Sequence, residues 1–88
     1  MRKAEINLIP GDVLEAAGDG CFIHDRLFHD TGERQRNYVI DAGRRMLVLG
    51  TPMLHDREVY VEVLTLDSHI RGYVINPQFR CRKVLSAA

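Results

Sequence analysis

The side chains best suited to chemistry in this sequence are Cys21 and His24, spaced Cys-x-x-His, together with His29 and Cys81. Thiolate and imidazole are zinc ligands, and four of them converging tetrahedrally would make a metal site. The spacing argues against one. On a straight strand residues 21 and 24 point to opposite faces, and no second tight pair such as Cys-x-x-Cys is present. Cys21 with a histidine base would be a candidate nucleophile, yet no oxyanion-hole motif accompanies it and 88 residues are few for an enzyme. No Gly-x-x-x-x-Gly-Lys-Ser/Thr segment is there to cradle phosphates. The expectation is a non-catalytic protein with no metal or other cofactor, its four histidines lying on exposed loops.

Charge is the next resource. Twelve basic residues balance twelve acidic ones, so no overall field draws the chain to nucleic acid or to an anionic membrane. The distribution is uneven. Residues 12–33 carry Asp12, Glu15, Asp19, Asp25, Asp30 and Glu33 against Arg26 alone, whereas residues 69–88 carry Arg71, Arg80, Arg82 and Lys83 with no acid. These four cations, joined by Arg44 and Arg45, could form a basic strip on neighbouring strands that meets nucleic acid, with Tyr73 and Phe79 for stacking. The plainer alternative is that charges at alternate strand positions are a solvated face. Asp25, Asp30 and Glu33 could pair with arginines of a basic partner segment, or simply keep a loop soluble. Acidic loop against basic strand would also permit head-to-tail association of copies.

The elements that must position these groups read as strands. Turn signals recur about every ten residues: Pro10-Gly11-Asp12, Gly18-Asp19-Gly20, Asp30-Thr31-Gly32, Asp41-Ala42-Gly43, Gly50-Thr51-Pro52 and Asp67-Ser68. Between them, Glu58 to Leu66 sets valines 59, 61 and 63 on one face and Glu58, Tyr60 and Glu62 on the other, the alternation of a half-buried strand. Met46-Leu-Val-Leu49 is apolar throughout and too short for a helix, so it reads as a strand covered on both faces. Tyr38 to Ile40, Ile70 to Ile75 and Arg80 to Leu85 supply further strands. Residues 12–17 read two ways. Asp12 and Glu15 have the spacing of a capping box and Gly18 stands where a helix would stop, but under two turns of helix gain little alone, and a strand is the preferred reading.

From Cys21 onward these segments resemble an SH3-type barrel. Tyr38 to Leu49 is similar to that family's strand, diverging turn and next strand. Gly50 to Arg57 stands at the n-Src-type loop and Glu58 to Leu66 at the central strand. Asp67-Ser-His69 stands at the distal turn, Gly72-Tyr73-Val74 at the following strand, and Asn76-Pro77-Gln78-Phe79 at the short 3₁₀ turn before the last strand. Residues 24–37 would then be the long, acidic RT-type loop. The resemblance implies protein binding, but the aromatic platform that grips polyproline is missing. There is no tryptophan, the loop begins Cys21-Phe22-Ile23-His24 without tyrosines, and Ile75 and Gln78 stand where proline and tyrosine would.

The expected architecture is one all-β domain, an SH3-like barrel of five or six strands over residues 21–85. Residues 1–20 are expected as an N-terminal extension, strand or short helix, packed on it, and 86–88 as a tail. The expected core is Val39, Leu47, Leu49, Val59, Val61, Val63, Ile70, Val74 and Cys81. Two cysteines sixty positions apart, with no apolar signal segment before them, suggest packed reduced thiols in the cytoplasm, bridged only if the fold brings them together. No run approaches the ~20 apolar residues of a membrane helix. Function is expected to be that of a protein-interaction or structural module acting through the RT-type loop (Asp25, Asp30, Glu33), the n-Src-type loop or a strand edge. By association alone, a particle component or host-directed effector of a phage or mobile element would fit. The alternative is nucleic-acid binding along Arg71, Arg80, Arg82 and Lys83.

Overall fold

The structure is a computed structural model and describes residues 2–3, 6–25 and 37–87. It is all-β. Among the described residues nine strands follow in the order β1 (Arg2–Lys3), β2 (Val13–Ala16), β3 (Cys21–His24), β4 (Asn37–Ile40), β5 (Arg45–Val48), β6 (Met53–His55), β7 (Glu58–Thr65), β8 (Arg71–Ile75) and β9 (Cys81–Leu85). A single helical turn, α1 (Pro77–Arg80), precedes β9. All pairings are antiparallel, in the order β4-β3-β8-β7-β5-β2-β9, with β6 on β7 and β1 on β6. Among the described residues β4 and β9 do not pair, so the sheet is open, and one of its faces is gathered round a single core. No helix of the described residues is long and apolar enough to cross a membrane.

The core follows from the pleat of β7. Val59, Val61 and Val63 are buried as their alternation requires, and Thr65 continues the same face. Val74 on β8 pairs with Val61 and is buried with it. On β5 the phase is the reverse of the expected one: Met46 and Val48 are buried while Leu47 and Leu49 are half-buried. A run of four apolar residues carries no alternation, so pairing decides. Val48 lies opposite Val63 and Met46 opposite Thr65, and cross-strand partners share a face. Val39, expected in the core, is 63% exposed. Its strand pairs Ile40 with Cys21 and Tyr38 with Ile23, which turns Val39 outward beside Phe22. Ile70 and Cys81 are half-buried and pack against the core from its margin.

Residues 13–16, expected within an extension packed on the barrel, are a strand inside the sheet, between β5 and β9. Their register with β9 shifts between Val13 and Leu14. The acid before them does not cap a helix. Asp12 is fully buried, and its carboxylate accepts the Ile9 N–H at 3.1 Å and the Ala87 N–H at 2.7 Å, with Lys83 Nζ 3.5 Å away. Hydrogen bonds from those two amides, Ala87 first, hold its carboxyl below the usual range. Residues 50–57, expected as a loop, also hold more order. Their β6 pairs with β7 through a two-residue turn in which both Asp56 and Arg57 have positive φ, the geometry that suits the twist of a tight hairpin.

Two contacts fix the parts that matter for the site. Gly72 on β8 faces the β3 backbone: a Cβ there would collide with the His24 carbonyl oxygen and stand 2.6 Å from Ile23 Cγ2. β3 can therefore cross β8 only because residue 72 has no side chain. Farther along, Arg44 reaches from the turn before β5 to the turn between β7 and β8. Its Nε and a terminal nitrogen donate to the two Asp67 oxygens at 2.9 and 3.0 Å, and it also donates to Ser68 Oγ.

Replacing Gly72 by alanine should overpack this crossing and destabilise the domain by about 1–3 kcal/mol in chemical denaturation. Gly50→Ala, whose new methyl would meet Glu62 only at 3.9 Å, should stay within about 0.5 kcal/mol of wild type. The Arg44 hydrogen bond is the main cause that holds the Asp67 carboxyl at about 2 instead of 3.8. A depressed acid lends stability that is complete above its ordinary value and is lost as pH falls through the depressed one. Melting temperatures of wild type and Asp67→Asn should therefore differ at pH 7 and converge as pH approaches 2.

Candidate functional site

A groove of about 540 Å³ opens between β3 and α1, where β8 ends, lined by Cys21, Phe22, His24, Glu58, Ile75, Asn76, Phe79 and Arg80. One wall is β3. Its alternation turns Cys21 and Ile23 to the core and leaves Phe22 outward, 55% exposed. His24, on the same outward side, is held by a 2.6 Å hydrogen bond between its Nδ1 and Asn37 Oδ1 of the next strand.

The opposite wall is α1, and Asn76 builds it. Asn76 adopts the left-handed conformation (φ 50°, ψ 58°) that asparagine tolerates better than most residues. Its N–H donates to the Val59 carbonyl at 2.7 Å, and its Oδ1 accepts the Val59 N–H at 2.9 Å. The side chain thus stands in for the strand backbone that β8 no longer supplies. The chain then leaves the sheet, Pro77 starts the helical turn with its ring buried, and Phe79 and Arg80 are thrust outward, Phe79 to 78% exposure. At the end of the groove Glu58 accepts the Tyr60 hydroxyl at 2.8 Å. Burial and this acceptor push the Tyr60 phenol well above its ordinary range.

The basic strip expected on neighbouring strands is not assembled. Arg71 is on β8, separated from β9 by β7, β5 and β2, and its Nε donates to Glu62 at 2.8 Å. Arg82 donates to Glu15 at 2.6 Å, and Arg45 shares that carboxylate at 3.3 Å. The Arg82 hydrogen bond is the main cause that holds Glu15 below its usual range. Lys83 lies by Asp12 and donates to the Asn7 carbonyl at 3.1 Å. Arg44 is engaged by Asp67. Of the four cations only Arg80 has no ion-pair partner among the described residues, and it is the one in the groove.

Of the RT-type acids, Asp25 follows the end of β3 directly and is half-buried, while Asp30 and Glu33 lie outside the described residues, as does His29. Among the described residues no three His, Cys, Asp or Glu side chains converge on a metal position. The two cysteines are neighbours nonetheless. The Cys81 thiol hydrogen bond, with smaller help from Arg80 and Arg44, holds the Cys21 thiol below its ordinary value, while the same partner and burial push Cys81 up.

Phe22 is the groove residue that reading the sequence overlooks, and Phe79 entered only as a stacking partner for bases. The available signal was a phenylalanine at the outward position of Cys21-Phe22-Ile23-His24, where a solvated strand face calls for a polar residue. No known protein family, curated protein or solved structure matches this chain.

Proposed function

We propose that this chain is a non-catalytic protein-interaction module of SH3-like architecture, whose groove between β3 and α1 takes an extended segment of a partner protein. The order of elements supports the architecture. The segment around β6, the long β7, the turn at 66–70, the Gly72-Tyr73-Val74 strand, the helical turn and β9 follow one another as in the resemblance described above. One observation carries the function: two phenylalanines, 55% and 78% exposed, flank a single groove that also holds Arg80, which has no ion-pair partner among the described residues.

Aromatic rings and arginine dominate the energetics of protein interfaces, because they bury much area at low entropic cost and pair strongly once desolvated. The chemistry fits a segment that places an apolar side chain between the rings and a carboxylate against Arg80. Asp25 follows His24 directly, so a partner filling the groove also meets the start of the acidic segment that continues in sequence to Asp30 and Glu33. Nucleic-acid binding finds less support, since Arg71, Arg82 and Lys83 already face Glu62, Glu15 and Asp12.

A displayed peptide library selected on the folded protein tests this reading. Phe22→Ser with Phe79→Ser should leave the far-ultraviolet spectrum and melting temperature almost unchanged, because both rings already face solvent, yet weaken selected peptides at least about tenfold. Peptides that bind the double variant as well as wild type would refute the groove. Binding of mixed DNA or RNA that falls steeply with salt and is abolished by Arg82→Glu would point instead to the nucleic-acid reading.

A further inference from the structure

We propose that the groove face is where two copies of this chain meet about a two-fold axis, each seating its Phe79 in the other's groove and pairing its Arg80 with the other's Glu58. A groove filled by a second copy is closed to a partner's segment, so self-association regulates the binding site proposed above. That consequence rests on the groove being such a site; the dimer does not.

Phe79 is a projection beside a hollow. Pro77 is buried and anchors α1, the Phe79 N–H donates to the Asn76 carbonyl at 3.0 Å, and Asn76 is itself tied to both backbone groups of Val59. The ring therefore stands on a fixed turn, 78% exposed, and little backbone freedom is left to lose when it is covered. Next to it lies the 540 Å³ groove, with the half-exposed Phe22 on the far wall. Phe22 is paired across the strands with the outward Val39. Half of the six large apolar side chains exposed among the described residues thus stand in or beside this groove. Such residues scattered singly are ordinary, but gathered together they mark a surface that something covers.

Charge says what covers it. Glu58 and Arg80 line the same groove, Glu58 accepts the neutral Tyr60 hydroxyl, and neither has an ion-pair partner among the described residues. A face that holds a projection with a hollow, and a cation with an anion, is complementary to itself. A two-fold axis uses all four features, because residue i of one copy then meets residue j of the other and j meets i: two rings enter two grooves, and two Arg80–Glu58 pairs form. Zero net charge sets no repulsive field between the copies. A closed pair also ends the assembly, unlike the head-to-tail chains that acidic loop against basic strand would build. Arg82 and Lys83, which those chains would need, already face Glu15 and Asp12.

Sedimentation equilibrium of the full chain without added peptide tests the proposal. Wild type should show a monomer–dimer equilibrium with a Kd below about 100 µM and no larger species. Arg80→Glu and Glu58→Arg each set like charges opposite one another across the axis, and each alone should weaken dimerisation at least about tenfold. Mixed in equal amounts, the two variants should associate with each other about as tightly as wild type, since both ion pairs return with reversed polarity. Arg80 is exposed, so Arg80→Glu decides the matter even where Glu58→Arg, which loses the Tyr60 hydrogen bond, folds poorly. A wild type still monomeric at about 1 mM, oligomers that keep growing with concentration, or a dimer left as tight by Arg80→Glu would overturn the proposal. Selection of displayed peptides is read separately, and any of these outcomes leaves the groove open to a partner protein.

Discussion

The pleat phase of β7 governs the rest of this structure. It is the longest strand, and it pairs with three others, β5, β6 and β8. Its valines face one way, so each partner must present whichever of its residues lies opposite them. Met46 and Val48 are thereby drawn inward on one flank and Val74 on the other. A slip of one residue would turn Val59, Val61 and Val63 away from the core. Phase then passes outward through the sheet: β5 fixes Leu14 of β2 opposite Met46, β2 fixes Cys81 opposite Ala16, and β8 receives β3 at Tyr73.

That dependence explains what could be read from residues alone. β7 was legible because its alternation is unambiguous, and the turns were legible because Gly, Pro and Asp punctuate them. Leu47, Leu49 and Val39 were misplaced for the opposite reason. Their strands are apolar on both sides, and only pairing with an already phased neighbour selects the buried set. The Asp12 and Glu15 pattern offered a rival helical reading, which the strand over Val13–Ala16 sets aside in favour of the preferred one. An acid followed three residues later by another is a helix-start signal, yet here each acid serves long-range contacts, to Ala87 and to Arg82, that no local window contains. The groove was the least legible part. It depends on β3 and α1 meeting across the end of a sheet, and neither an outward Phe22 nor a left-handed Asn76 declares a partner 50 or more positions away.

Balanced composition acquires a physical meaning in the same light. The acidic first third and the basic last fifth of the sequence looked like two opposed surfaces. In the fold, β2 and β9 lie side by side, and the opposed charges meet as Glu15 with Arg82 and Asp12 with Lys83. Asp12 goes further, since its carboxylate gathers amides from the segment before β2 and the tail after β9 at one buried point. Exposed ion pairs contribute little to stability, so Glu15 with its two arginines is better regarded as a register mark between β5, β2 and β9 than as a source of energy.

The groove can be understood as a consequence of β8 stopping short of the start of β7. Where β8 stops, the first residues of β7 lose a strand on that side, and their backbone groups need other partners. Asn76 satisfies both groups of Val59 there, and α1 covers the gap with Pro77 while projecting Phe79 and Arg80 away from it. The side chains that close the interior and those that line the groove are thus consecutive residues of one short turn. Cys21 belongs at once to the groove and to the core. The proposed binding surface and the closure of the core are coupled because residues 76 to 80 contribute to both.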